Sequence, residues 1–273
     1  MSNSWAMLKA SATVLRLDTE LLIFPLLSTL AVILITVSLV ALIMFFGGPE
    51  ALDDPGYLVY SGGFVFYLIL YTVIFFFNAG LVGATLIRLD GGDPTVGDGM
   101  NIATKKLPTI LGYAVIAATV GMVLRAIEER VGALGRIVVG LIGMSWSLTT
   151  YLTVPVLVSK DVGAIDAVKE SANIFRRTWG EQVVGNAGIG LATFLLFALM
   201  TAVGVPLVIL VSSINEAFAI PMGITLGVGY FFLALLSAAL QGIYSAALYR
   251  FATTGDAGEH FNAAMMDQAF RTK

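Results

Sequence analysis

The residues that could do chemistry in this chain are few, and most sit where they can do little. The single histidine, His260, lies in the polar stretch 255–273. A metal site needs several converging ligands, and none accompany it. Ser145, in Gly143-Met144-Ser145, falls inside a long apolar run. A serine nucleophile there would need an embedded histidine or lysine to take its proton, and the run holds neither. Asp90, Asp93 and Asp98 share the glycine-rich stretch 89–99. Three carboxylates so close could hold Ca²⁺, but their spacing fits no EF-hand loop. Asp93-Pro94 and the neighbouring glycines read more simply as a turn before a helix. The absence of cysteine excludes disulfides, thiol nucleophiles and thiolate metal ligands. The chain is therefore expected to have no catalytic residue, no cofactor and no metal, and not to be an enzyme.

Neutral polarity does recur inside the apolar runs. Tyr60, Tyr67, Tyr71, Asn78 and Thr85 follow intervals of seven and four, which share one helical face. Near the C-terminus, Ser237, Gln241, Ser245 and Tyr249 step by four beside Ala234, Ala238, Gly242 and Ala246. Asn186 sits among Gly185, Gly188 and Gly190. Small residues at that spacing let helices pack closely, with polar groups hydrogen-bonding across the seam. The functional alternative is a polar path or pocket lined by Tyr71, Asn78 and Gln241. An amide surrounded by apolar groups is costly unless paired, so Asn78 and Gln241 need partners on either reading.

The elements that carry these residues are membrane spans. Charged residues make up 12% of the 273, and 58% are hydrophobic. A soluble domain has about 25% charged residues, so this much apolar surface must face lipid. A net charge of −3 gives no reason to expect a nucleic-acid partner. A hydrocarbon core of about 30 Å needs about 20 apolar residues of helix. Six runs qualify: Leu21–Phe46, Gly62–Ile87, Leu107–Leu124, Ile137–Val158, Val183–Val211 and Pro221–Tyr249. The first is far longer than the apolar region of a cleavable signal.

Lysine and arginine set the expected orientation. With both termini cytoplasmic, all but Arg125, Arg130 and Arg136 of the 15 basic residues fall inside. Those three share a loop with Glu128 and Glu129, where Arg125 and Glu129 can pair at i,i+4.

Between the spans lie amphipathic segments. In Ala164–Trp179, Ile165, Val168, Ala172, Phe175 and Trp179 step by three and four, and are expected to form the apolar face. Shifted back by 160 positions, the segment falls on Ser4–Thr19. Lys9 meets Lys169, Ser11 meets Ser171 and Arg16 meets Arg176. A shorter version, Val96–Leu107, precedes the third span. The expected architecture is an all-α, six-span transmembrane bundle with cytoplasmic amphipathic helices before spans one, three and five. Residues 1–254 would form one membrane domain of three parallel units, 4–88, 96–159 and 164–250. A polar cytoplasmic tail, 255–273, would follow.

LLIFPLLS (Leu21–Ser28), the Gly97-Asp98-Gly99 turn before Lys105-Lys106-Leu107-Pro108, GRIVVGLIGMSWSL (Gly135–Leu148), VPVLV (Val154–Val158) and TWGEQVVGNAGIG (Thr178–Gly190) carry a resemblance. Together they resemble an uncharacterised domain-of-unknown-function family of archaeal and bacterial multi-span membrane proteins. Lys160–Ser171, after a proline near the end of a span, is more loosely similar to membrane domains attached to glycerophosphodiester phosphodiesterases and to Yip1-like proteins. The resemblance implies a fold and a membrane location. It implies no activity and transfers no functional residue.

The function expected from these readings is a non-enzymatic scaffold of the cell membrane that organises lipid or partners. Arg176, Arg177 and Trp179, with Lys105 and Lys106, would meet anionic lipid headgroups. The partner would be the bilayer itself, an unidentified membrane protein or a second copy of the chain. The alternative is a channel or facilitator for a small solute, running between the neutral polar faces of spans two, five and six.

Overall fold

The computed structural model of the protein describes residues 2–47, 57–179, 188–256, 258 and 261. Among the described residues the chain is all helix, without strands. The helices are α1 (Ser2–Leu17), α2 (Ile23–Gly47), α3 (Tyr57–Leu89), α4 (Val96–Lys105), α5 (Leu107–Glu128), α6 (Ala133–Thr149), α7 (Thr153–Ser159), α8 (Ala164–Trp179), α9 (Gly188–Ile214) and α10 (Ala219–Thr254). Among the described residues, six helical stretches are long and apolar enough to cross a membrane. They are α2 with the turn before it, α3, α5, α6 with α7, α9 and α10, called spans one to six below.

Burial is concentrated at one end of the bundle. The core gathers Val14, Leu21, Phe24, Val82, Ile110, Leu157, Ile243 and Leu248, all nearly inaccessible. This is the end that holds Arg88, Lys106, Lys160 and Arg250, and it is called the basic end. Toward the far end the helices present large apolar side chains outward, such as Phe45, Leu134, Ile214 and Ile220. Contiguous apolar surface of that extent is stable only against another apolar phase, the behaviour expected of spans in lipid.

Helix α3 is the hub, packing on α2, α4, α5, α7 and α10. Glycines set how closely. A Cβ added at Gly80 would stand 2.7 Å from the Phe24 ring, and one at Gly99 would stand 2.6 Å from the Gly80 carbonyl oxygen. The missing side chains let α4 lie against α3 with Phe24 wedged between them. The short helices α1, α4 and α8 follow a cyclic rule: each packs on the span pair that precedes it. Helix α4 packs on span two and against Phe24 of span one, α8 on spans three and four, and α1 closes the ring on spans five and six.

Span four departs from the sequence expectation of one continuous helix. It breaks between Thr149 and Thr153, and Pro155 gives the reason. The proline ring would clash with the carbonyl of Tyr151, and its nitrogen cannot donate there. The chain instead makes tight turns, with Tyr151 N donating to Leu148 O at 3.3 Å and Thr153 N to Thr150 O at 3.0 Å. Pro155 then falls in the first turn of α7, where a missing N–H costs nothing. Ser171 of α8 bridges the break. Its Oγ donates to Thr149 O at 2.6 Å and accepts from Leu152 N at 3.1 Å.

The inward face of α8 also differs from the expected one. Ala167, Ser171 and Ile174 are buried, whereas Ile165 is 62% exposed. The small Ala167 and Ser171 let α8 approach the broken span, Val168 packs partly against the core, and Ile165 faces away from it. Helix α1 buries Met7, Ser11 and Val14, the positions 160 residues earlier than Ala167, Ser171 and Ile174. The start of the segment read as a polar tail also joins the core, since Phe261 is buried and Gly258 lies against Leu89.

Candidate functional site

Three of the neutral polar positions can be placed. Asn78 and Gln241 line one cleft of about 490 Å³ between spans one, two, five and six. Its wall also includes Phe24 and Ser28 of α2, Phe77 and Leu81 of α3, Tyr151 at the break in span four, Phe197 of α9, and Ser237 and Ser245 of α10. Asn78 reaches the cleft because Gly242 lets α10 lie close to α3. A Cβ at Gly242 would collide with Leu81 and stand 3.6 Å from Asn78 Oδ1. Ser245 Oγ donates to the Gly242 carbonyl at 2.8 Å, so that hydroxyl is satisfied within its own helix.

Tyr71 is not among the residues lining this cleft. Its ring stacks on Tyr67 and Phe75, and Phe75 in turn stacks on Tyr113 of α5 with centroids 4.4 Å apart. The Tyr71 hydroxyl lies against Gly121. Tyr71 and Asn78 share a helical face, but they are two turns apart, and the neighbour changes over that rise of about 10 Å. Toward the far end the face meets span three; nearer the basic end it meets span six. Asn186 lies outside the described residues, as does His260.

The carboxylates of the loop after α3 diverge. Asp90 pairs with Arg250, Asp93 with Arg88 at 2.6 Å, and Asp98 bonds with Thr95 in a capping box at the start of α4. Thr95 donates to Asp98 from its amide at 2.9 Å and its hydroxyl at 2.7 Å, which holds that carboxyl below its ordinary pKa. Arg88 also pairs with Asp18, a fork that ties the junction of α1 and span one to the end of span two. At the far end Arg125 pairs with Glu129 at 3.1 Å and donates to the Tyr67 hydroxyl at 2.8 Å.

The basic residues divide into two sets. Lys106 donates to the Lys160 carbonyl at 2.8 Å and lies 3.5 Å from Asp161. Lys160 pairs with Glu170 at 2.6 Å, which raises its pKa. Lys169 pairs with Asp166. Sequence reasoning put Lys106 among the outward-facing cations, and these contacts place it in the packing between α5 and the end of span four. By contrast Lys9, Arg16, Lys105, Arg130, Arg136, Arg176 and Arg177 are exposed and carry no ion pair among the described residues. Of these, Arg16, Lys105, Arg176 and Arg177 sit in the last turns of α1, α4 and α8, whereas Arg130 and Arg136 lie at the far end. Trp179 ends α8, and its side chain is outside the described set.

Sequence reasoning missed Ser171 as a structural bridge. The signal available was Pro155 near the end of an apolar run, which breaks the helix before it and leaves backbone groups that something must satisfy. No curated protein and no solved structure matches the chain. No named relative stands behind the finer likenesses to archaeal and bacterial proteins, glycerophosphodiester phosphodiesterase membrane domains or Yip1-like proteins. Residues 56–261, which include spans two to six and the helices α4 and α8 between them, match the model of a family of unknown function, DUF6159, and the chain belongs to that family.

Proposed function

We propose that the protein is a non-enzymatic scaffold of the cell membrane that organises anionic lipid at the cytoplasmic leaflet, with its basic end and both termini inside. One observation carries this reading: a cation with no ion pair among the described residues stands in the last turn of each short helix, before spans one, three and five. Arg16, Lys105 and the Arg176–Arg177 pair would thus meet headgroups at three points around the bundle. Long basic side chains reach such phosphates while their stems stay on apolar surface. Each is worth about 1 kcal/mol near an anionic surface, falling as salt screens it. The stripe of Ile165, Ala172 and Phe175 beside the packed face of α8 suits the interface below those headgroups.

The facilitator reading has one supporting observation, the convergence of Asn78 and Gln241 on a cleft. A path through the bundle would need Tyr71 in the same space, and Tyr71 belongs to the seam with span three. Phe24, wedged between Gly80 and Gly99, fills the cleft's end toward α4.

The test is charge reversal at Arg16, Lys105, Arg176 and Arg177 in the full-length protein. Native mass spectrometry from membranes should show loss of retained anionic phospholipid, while protease protection still reports six inserted spans. Wild-type retention of anionic lipid in that variant would sink the reading. Solute flux through proteoliposomes that carry the wild-type protein would favour the facilitator instead.

A further inference from the structure

We propose that the cleft between α2, α3, α9 and α10 binds one amphiphile with an uncharged, hydrogen-bonding head, of the diacylglycerol class. Its volume of about 490 Å³ lies within the range of small-molecule sites, about 300–1,000 Å³. No charged side chain lines it. A phosphate or carboxylate removed from water needs a cation beside it, whereas a hydroxyl or ester needs only a hydrogen-bond partner. The lining therefore selects a neutral head. It also supplies the partners: the amides of Asn78 and Gln241 offer donors and acceptors, with hydroxyls at Ser28 and Ser237.

Neither amide has a hydrogen-bond partner among the described residues, and Gln241 is exposed into the cleft. Apart from Thr193 and Ser245, the remaining wall is aliphatic and aromatic, as an acyl chain requires. Depth points the same way. Along their helices, Asn78 lies about 16 Å from the Leu89 end and Gln241 about 20 Å from the Thr254 end. That places the polar spot inside the apolar layer, below the level of a phospholipid phosphate. Leu30 and Phe194, close in sequence to the lining residues Ser28 and Thr193, are exposed and leave apolar surface for the chains to follow.

The experiment uses the full-length protein in nanodiscs with either a diazirine diacylglycerol or a diazirine phosphatidylglycerol. Adducts are mapped by peptide mass spectrometry. The neutral probe is expected to label residues 74–81 and 234–245, and the anionic probe is not. The N78L/Q241L double variant should cut that labelling about tenfold, the equivalent of losing one good hydrogen bond to the head. It should also melt at or above the wild-type temperature, because it removes two unmatched amides. Ala238→Phe, which fills the cleft, should give the same loss of labelling. Equal labelling by both probes overturns the proposal, as does wild-type labelling in either variant. A lowered melting temperature in N78L/Q241L overturns it too, since the amides would then be packing groups. Charge reversal at Arg16, Lys105, Arg176 and Arg177 should leave cleft labelling unchanged, so the surface reading and the cleft fail separately.

Discussion

Helices α1 and α8 present a serine at the same position of the same buried face, 160 residues apart, and the two hydroxyls live in opposite chemical situations. Ser171 makes two bonds to the backbone of span four. Ser11 is as deeply buried, and its Oγ has no hydrogen-bond partner among the described residues. The difference lies in what each helix packs against. Helix α8 meets a span interrupted by Pro155, so an N–H and a C=O are available. Helix α1 meets α9 and α10, and α10 is unbroken from Ala219 to Thr254, with its backbone groups already paired along the helix. The third short helix makes the same approach with no side chain, since Gly99 lies on the unbroken α3. Helices α1 and α8 thus bury the same three positions, and the hydroxyl bonds across the seam in only one of them.

The largest effect is expected where the approach is tightest. Gly99→Ala puts a methyl against the Phe24 ring and the Gly80 backbone oxygen, and a backbone atom on the partner helix cannot swing aside. Overpacking of this kind should cost about 3 kcal/mol, more than the gain from a better helix former. Unfolding of the purified protein in mixed micelles would measure it, and a neutral Gly99→Ala would mean that α3 and α4 can separate freely. Next comes Ser171→Ala, which strands Leu152 N–H and Thr149 C=O in a buried break. A loss of about 2 kcal/mol is expected. The comparison becomes sharper when Pro155→Ala is added. If the proline imposes the break, its removal lets span four re-form bonds, and Ser171→Ala should then cost about 1 kcal/mol less. Strict additivity of the two substitutions would assign the break to something other than Pro155.

The sequence carried the six spans plainly, because 20-residue apolar runs have no other stable fate in so uncharged a chain. It carried the existence of α1, α4 and α8 and their echo, but not which side of α8 faces inward. Ile165 and Ala172 belong to the stripe that hydrophobicity marks as the apolar face, and hydrophobicity does not say which side of the helix packs on the bundle. The seam is Ala167, Ser171 and Ile174, with the small Ala167 and Ser171 where two helices nearly touch. The candidate cleft was half legible. Asn78 and Gln241 stood out as amides in apolar runs, but periodicity alone could not show that Tyr71 meets a different neighbour two turns away. The pairing of Lys106 with Lys160 O and Asp161 was equally hidden, since it joins residues more than 50 positions apart.

The smallest effect separates the two serines most cleanly. Ser11→Ala removes a hydroxyl that was taken out of water and given nothing in return. If the site is as dry and unmatched as its geometry indicates, alanine should stabilise the protein by about 1 kcal/mol, the reverse of its effect at position 171. The two substitutions delete the same atom from the same face of matched helices, so helix propensity cancels between them. What remains is the difference between an unbroken span and a broken one. Equal losses at both positions, measured in the same micelles, would mean that Ser11 has a bond to backbone or water, and the contrast between the first and third units would collapse.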